Sequence, residues 1–81
     1  MRTLYKFSTP WCAPCKTLSK TLAGMLSEFP DIEIIEVDIE KDPTMANQMR
    51  VRSVPTLMLD GRMLVGTASH SRLQQFLKGN A

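Results

Sequence analysis

The apolar positions of the chain change rhythm several times, and each change predicts an element. Residues 2–8, Arg-Thr-Leu-Tyr-Lys-Phe-Ser, are rich in strand formers and stop at Thr9-Pro10, which predicts a first strand. From about Ala13 to Phe29 the rhythm lengthens. Leu18, Leu22, Met25, Leu26 and Phe29 recur three and four apart and make one apolar helical stripe. Pro14 suits the first turn of that helix, where a missing N–H costs nothing, and Pro30-Asp31 stops it. Ile32, Ile34, Ile35, Val37 and Ile39 then supply apolar groups to both faces of a second strand over Ile32–Ile39, the pattern of an interior parallel strand. Strand, helix and strand at this spacing form a βαβ unit, whose crossover is expected to be right-handed.

Asp42-Pro43 opens a short helix to about Met49, with Asp42 as its N-cap. Thr56 to Leu59 is a third strand, Asp60-Gly61 a two-residue turn signal, and Met63 to Val65 the returning fourth strand of an antiparallel hairpin. Gly66 ends it. A last helix runs from about Ser69 to Lys78, with Leu73, Phe76 and Leu77 on one side and Gly79 as the stop. The order is βαβ, helix, ββα, an α/β arrangement. No repeat, linker or low-complexity segment interrupts it, so residues 1–81 read as one small domain. The methionines Met25, Met45, Met49, Met58 and Met63 fall at core-like spacings and read as filler.

Composition changes this picture little. Hydrophobic residues are 43%, charged residues 22%, and the formal net charge is +2. No basic run with interleaved aromatics points to nucleic acid, no run is long enough to span a membrane, and no signal peptide is visible. The expected setting is therefore a reducing cytoplasm. The acids are uneven: seven of the eight lie between Glu28 and Asp42, opposed there only by Lys41. That stretch reads as a solvated edge, or as an asymmetry that turns partners toward a more basic side.

The candidate chemistry lies where the first strand gives way to the first helix, at Trp11-Cys12-Ala13-Pro14-Cys15-Lys16. Cys12 and Cys15 are the only cysteines. A bond between them would close a tiny loop and contribute less stability than a bridge across a long one, so it reads as a bond to be made and broken. Chemistry in open α/β sheets gathers at the carboxyl ends of strands, which is where this pair sits. Unpaired N–H groups at a helix start favour an anion, and Lys16 adds positive charge, so both lower the pKa of Cys12. Cys12 precedes the helix and is expected to be the more exposed, attacking sulfur. Cys15, in the first turn, is expected to be more buried and to resolve the mixed disulfide. The exchange needs no cofactor. Zinc is the competing reading, but a structural site wants four ligands, and the rest of the chain offers only His70, read as a surface residue.

With Val54-Pro55 some forty residues further on, Trp11 to Lys16 resembles the thioredoxin superfamily, over nearly the whole chain. The resemblance implies a minimal thioredoxin fold, a four-stranded mixed sheet flanked by three helices. It implies a redox-active Cys12–Cys15 disulfide and a cis bond before Pro55, facing the cysteines. It also implies that Val54 pairs by backbone hydrogen bonds with the substrate chain and that Gly66 lines the same groove. Trp11 reads as an exposed platform for partners. The implied protein is a monomeric thiol–disulfide oxidoreductase acting on disulfide-containing proteins, ribonucleotide reductase among the possible targets. A flavin-dependent, NADPH-driven thioredoxin reductase is the implied electron donor.

Three departures matter. The chain begins directly at the strand leading to the cysteines, as glutaredoxins do. Ala13-Pro14 is thioredoxin-like, yet Ser53-Val54-Pro55 resembles glutaredoxins about as well. Thr67-Ala68-Ser69 replaces the Gly-Gly and acidic pair with which glutaredoxins hold glutathione. A glutathione-coupled glutaredoxin is therefore the alternative enzyme. A non-catalytic binding module and a thiol metal carrier are the alternatives outside that class. Finally, thioredoxins usually place an Asp behind the cysteines and a Lys on the adjoining strand, where this chain has Lys6 and Glu36. The two could pair, with Glu36 raised in pKa by burial and relaying the Cys15 proton.

Overall fold

The structure is a computed structural model and describes residues 1–79. Four strands form one mixed sheet in the order β2-β1-β3-β4. β1 (Arg2–Ser8) pairs in parallel with β2 (Ile32–Asp38), from Arg2 opposite Ile32 to Ser8 opposite Asp38. On its other side β1 pairs antiparallel with β3 (Thr56–Leu59), which pairs antiparallel with β4 (Arg62–Val65). Asp60 and Gly61 turn the hairpin with φ of 52° and 78°, the double left-handed geometry that an Asp-Gly pair favours.

Strand alternation splits the core in two. Leu4, Leu57, Leu59 and Leu64 pack with Leu18, Leu22 and Met25 of α1 (Ala13–Met25) and with Leu73, Phe76 and Leu77 of α3 (His70–Lys78). On the opposite face, Phe7 and Val37 pack with Ala46 of α2 (Pro43–Gln48) and with Val51. Asp42 caps α2, its Oδ1 accepting the Met45 N–H at 3.2 Å, and Ser69 caps α3 by accepting the Arg72 N–H. Gly79 ends α3 at φ 89°.

Three expectations are corrected. The first helix does not stay α-helical to Phe29: it ends at Met25 and tightens into a 3-10 turn at Leu26–Glu28. Pro30 explains this, because the residue before a proline is pushed out of helical geometry, and Phe29 is at φ −131°, ψ 66°. The second strand is not interior. It ends at Asp38 and forms the outer edge of the sheet, with Ile35 40% exposed. Ile32 and Ile34 reach the larger cluster and Ile39 the smaller one, but the six-residue α2 is too short to cover the whole face that Ile35 shares. Met63 is also exposed, on the outer strand β4, rather than core filler.

Candidate active site

The site is assembled where β1 and β2 end and β3 begins. Beyond Ser8, the Cys12 N–H donates to the Thr9 carbonyl at 3.4 Å, and this turn delivers the chain to α1. Cys12 is the N-cap of α1, in extended geometry, and its Sγ accepts the Cys15 N–H at 3.2 Å. The two cysteines form a disulfide, with their Cα atoms 5.2 Å apart. A backbone donor thus already points at the sulfur that the sequence marks as attacking, in the way helix N-termini hold anions. Ala13, Pro14 and Lys16 are exposed around it.

The burial order of the sulfur-bearing residues is as expected but narrow. Cys12 is 7% exposed and Cys15 3%, so in the oxidised state both are covered. Trp11 stands 71% exposed next to them. It is held at one end, because its Nε1–H donates to Glu40 Oε1 at 2.9 Å.

Register brings the remaining residues to the same end. Phe7 lies opposite Thr56, so the next residues outward, Pro55 and Val54, fall beside the end of β1 and the turn to Cys12. The Val54-Pro55 bond is cis. Pro55 is buried and Val54 half-buried. The Gly66 N–H donates to the Pro55 carbonyl at 2.8 Å, which places Gly66 on the far side of the same row. Gly66 is at φ 82°, and a Cβ there would meet nothing within 4 Å, so its backbone angle rather than crowding calls for glycine.

Lys6 and Glu36 do pair, facing each other across β1 and β2 with Nζ donating to Oε1 at 2.6 Å. The expected burial of Glu36 is not found. Its side chain is 68% exposed, whereas that of Lys6 is 6% exposed. The edge position of β2 leaves the carboxylate in water, so the burial that the relay reading required is absent. The pair borders a cleft of about 360 Å³ with Ser19, Leu22, Ala23, Leu26 and Ile34. Ser19 Oγ–H donates to the Cys15 carbonyl at 2.9 Å.

Sequence reasoning passed over Glu40, Ser19 and Thr9. Glu40 lies just past a strand end, inside the acidic stretch, and that position was its only signal. Ser19 follows Cys15 by one helical turn, a spacing that could have marked it. Thr9 is buried with no hydrogen-bond partner for its Oγ1, and nothing in the sequence distinguishes it from an ordinary turn threonine. His70 is exposed, and no group of three metal-ligating side chains occurs among the described residues.

This architecture, a helix-capping disulfide opposite a cis-proline on a four-stranded mixed sheet, has known counterparts. The thioredoxin family's sequence profile matches residues 1–79, and the chain belongs to that family. It is 43% identical over 61 residues to a thioredoxin of Chlamydia trachomatis, covering 73% of this chain and 60% of that protein. It is 32% identical over 81 residues to thioredoxin-2 of Pyricularia oryzae, covering 95% of this chain and 47% of that one. The chain therefore spans about half the length of such relatives. Among solved structures, a thioredoxin variant from Halobacterium salinarum superposes with a TM-score of 0.82 at 28% identity, over 98% of this chain and 74% of its own. No described helix is long and apolar enough to cross a membrane.

Proposed function

We propose that the protein is a thiol–disulfide oxidoreductase that reduces disulfides in other proteins, with Cys12 attacking and Cys15 resolving. The observation that carries this reading is the Cys12–Cys15 disulfide at the start of α1, with the Cys15 N–H directed at Cys12 Sγ. When the pair is reduced, the same N–H and the helix N-terminus favour a Cys12 thiolate. The thiolate attacks a substrate disulfide, and Cys15 then displaces the substrate by attacking Cys12. Lys16 adds positive charge, and Ala13-Pro14 keep the turn short and stiff. Trp11, Val54, Pro55 and Gly66 form the substrate groove, with Val54 offering backbone pairing to an extended chain.

In this reading the domain works as a monomer in the cytoplasm, without a bound cofactor. Its electron donor is a thioredoxin reductase, and ribonucleotide reductase is one possible target. The test is reduction of a disulfide-bonded protein, with electrons supplied by glutathione in one arm and by NADPH with thioredoxin reductase in the other. Turnover in the second arm, abolished in Cys12→Ser, is expected. Turnover in the glutathione arm alone would make the protein a glutathione-coupled enzyme instead. Cys15→Ser is expected to trap a stable mixed disulfide, and its failure to do so would reverse the assigned roles of the two sulfurs.

A further inference from the structure

The face of the sheet opposite α1 and α3 is only partly covered, and strand register defines the open part. Ile35 lies opposite Tyr5, Tyr5 opposite Met58, and Met58 opposite Met63. Side chains two apart on a strand share a face. Ile35 and Tyr5 therefore stand on the side of Val37 and Phe7, which pack with Ala46 of α2, and Met58 packs against the same cluster. Leu64 packs on the other face, so its neighbour Met63 falls on this one. One apolar row thus crosses all four strands. Its ends are open, with Ile35 40% and Met63 39% exposed, and Tyr5 and Met58 between them are half-buried. The exchange chemistry above uses none of the four.

The surroundings of the row select what fits it. The opposite face carries two helices, α1 and α3, whereas this one carries only the six-residue α2. That helix packs over the adjacent row of Phe7 and Val37. A sheet containing a parallel pair usually has helices on both faces. At ordinary strand spacing the row is about 14 Å long, the length of two to three helical turns. The ridge of α2 beside it keeps a second flat sheet from closing down. Nor does α2 of another copy suit the place, because its exposed Thr44, Asn47 and Gln48 are polar. Charge selects further. Glu33, the neighbour of Ile35 on this face, is exposed, and the acidic stretch that includes β2 is opposed only by Lys41. At the far end Arg62 turns to the other face, where its Nη2 donates to the Phe76 carbonyl. The row is therefore apolar along its length and acidic at its β2 end.

We propose that this row docks an amphipathic helix of a partner polypeptide, with the helix's apolar stripe on Ile35, Tyr5, Met58 and Met63 and its lysines or arginines toward Glu33. Met58 and Met63 suit such a contact, because flexible thioether side chains repack around a partner. Anchors three and four residues apart on the helix meet the row. Tyr5 is on the order of 10 Å along β1 from Ser8, where the strand gives way to the redox turn. A docked helix therefore leaves the disulfide open to substrate.

The test uses a cysteine-free synthetic peptide of about 18 residues, with leucines at i, i+3, i+4 and i+7 and lysines flanking them. Binding is measured by calorimetry and mapped by amide chemical shifts. The peptide is expected to shift Ile35, Tyr5, Met58 and Met63, and to bind Cys12→Ser as well as the parent. The double variant Ile35→Thr/Met63→Thr, altered only at exposed positions, is expected to weaken binding about tenfold. Glu33→Lys is expected to weaken the lysine peptide and to favour one with glutamates in the flanking positions. Failure to bind, equal binding of a scrambled peptide, shifts centred on Trp11 and Val54, or an unmoved affinity in the double variant would each overturn the proposal. So would a concentration-dependent dimer in sedimentation that the double variant abolishes, since a second copy would then cover the row. Disulfide reduction is assayed separately, and its loss or retention does not bear on these outcomes.

Discussion

The Sγ of Cys12 occupies the place that a serine or aspartate oxygen usually holds at a helix start, accepting the Cys15 N–H. Serine restores such an acceptor and alanine does not. Under reducing conditions Cys12→Ala is therefore expected to be less stable than Cys12→Ser by about 1 kcal/mol, read from urea midpoints. Both variants should be inactive in disulfide reduction. Gly66 makes a second residue-level case. Its N–H holds the Pro55 carbonyl while its φ is 82°. Gly66→Ala is expected to cost about 1–2 kcal/mol from backbone geometry alone, because the added methyl meets no neighbour. A loss much larger than that in equilibrium denaturation would point to an unseen contact.

Among the elements, β1 and β2 are joined at their starts by Arg2 and Asp31. Arg2 Nε donates to Asp31 Oδ2 at 2.7 Å. That hydrogen bond, ahead of the charge attraction, holds the Asp31 carboxyl below its usual range. A depressed carboxylate adds stability that is present above its unfolded pKa and lost as pH falls through the lower folded value. The Asp31 contribution should thus fade below about pH 4. Asp31→Asn is expected to flatten the acid limb of a stability–pH curve and leave its alkaline side unchanged. Element existence was legible because apolar rhythm, caps and turn residues agreed: Asp42, Asp60-Gly61 and Gly79 all stand where their chemistry implied. Placement in the sheet was not. The isoleucines of β2 satisfy two faces whether or not another strand lies outside, so the pattern could not separate an interior strand from an edge one. Ile35→Thr tests the outcome, since at an edge it is expected to change stability by less than about 0.5 kcal/mol.

For the whole molecule, the cysteine pair was legible because both sulfurs and their helix start are contiguous in the chain. The Trp11–Glu40 bridge was not, since it needs two loops to meet. The Lys6–Glu36 pairing followed once β1 and β2 were neighbours, but which partner is buried depended on sheet order. Closing a four-residue loop is expected to make the oxidised form more stable than the reduced by about 2 kcal/mol at most, measured by denaturation with and without reductant. At the opposite end of the sheet from the cysteines, Arg2 Nη1 donates to the Leu77 carbonyl at 2.7 Å and Arg62 Nη2 to that of Phe76 at 3.0 Å. The first strand and the last helix are thereby fastened side by side, about 20 Å along β1 from the redox turn. Removing either guanidinium would leave a carbonyl in the last turn of α3 without that donor, at the end of the sheet remote from the redox turn.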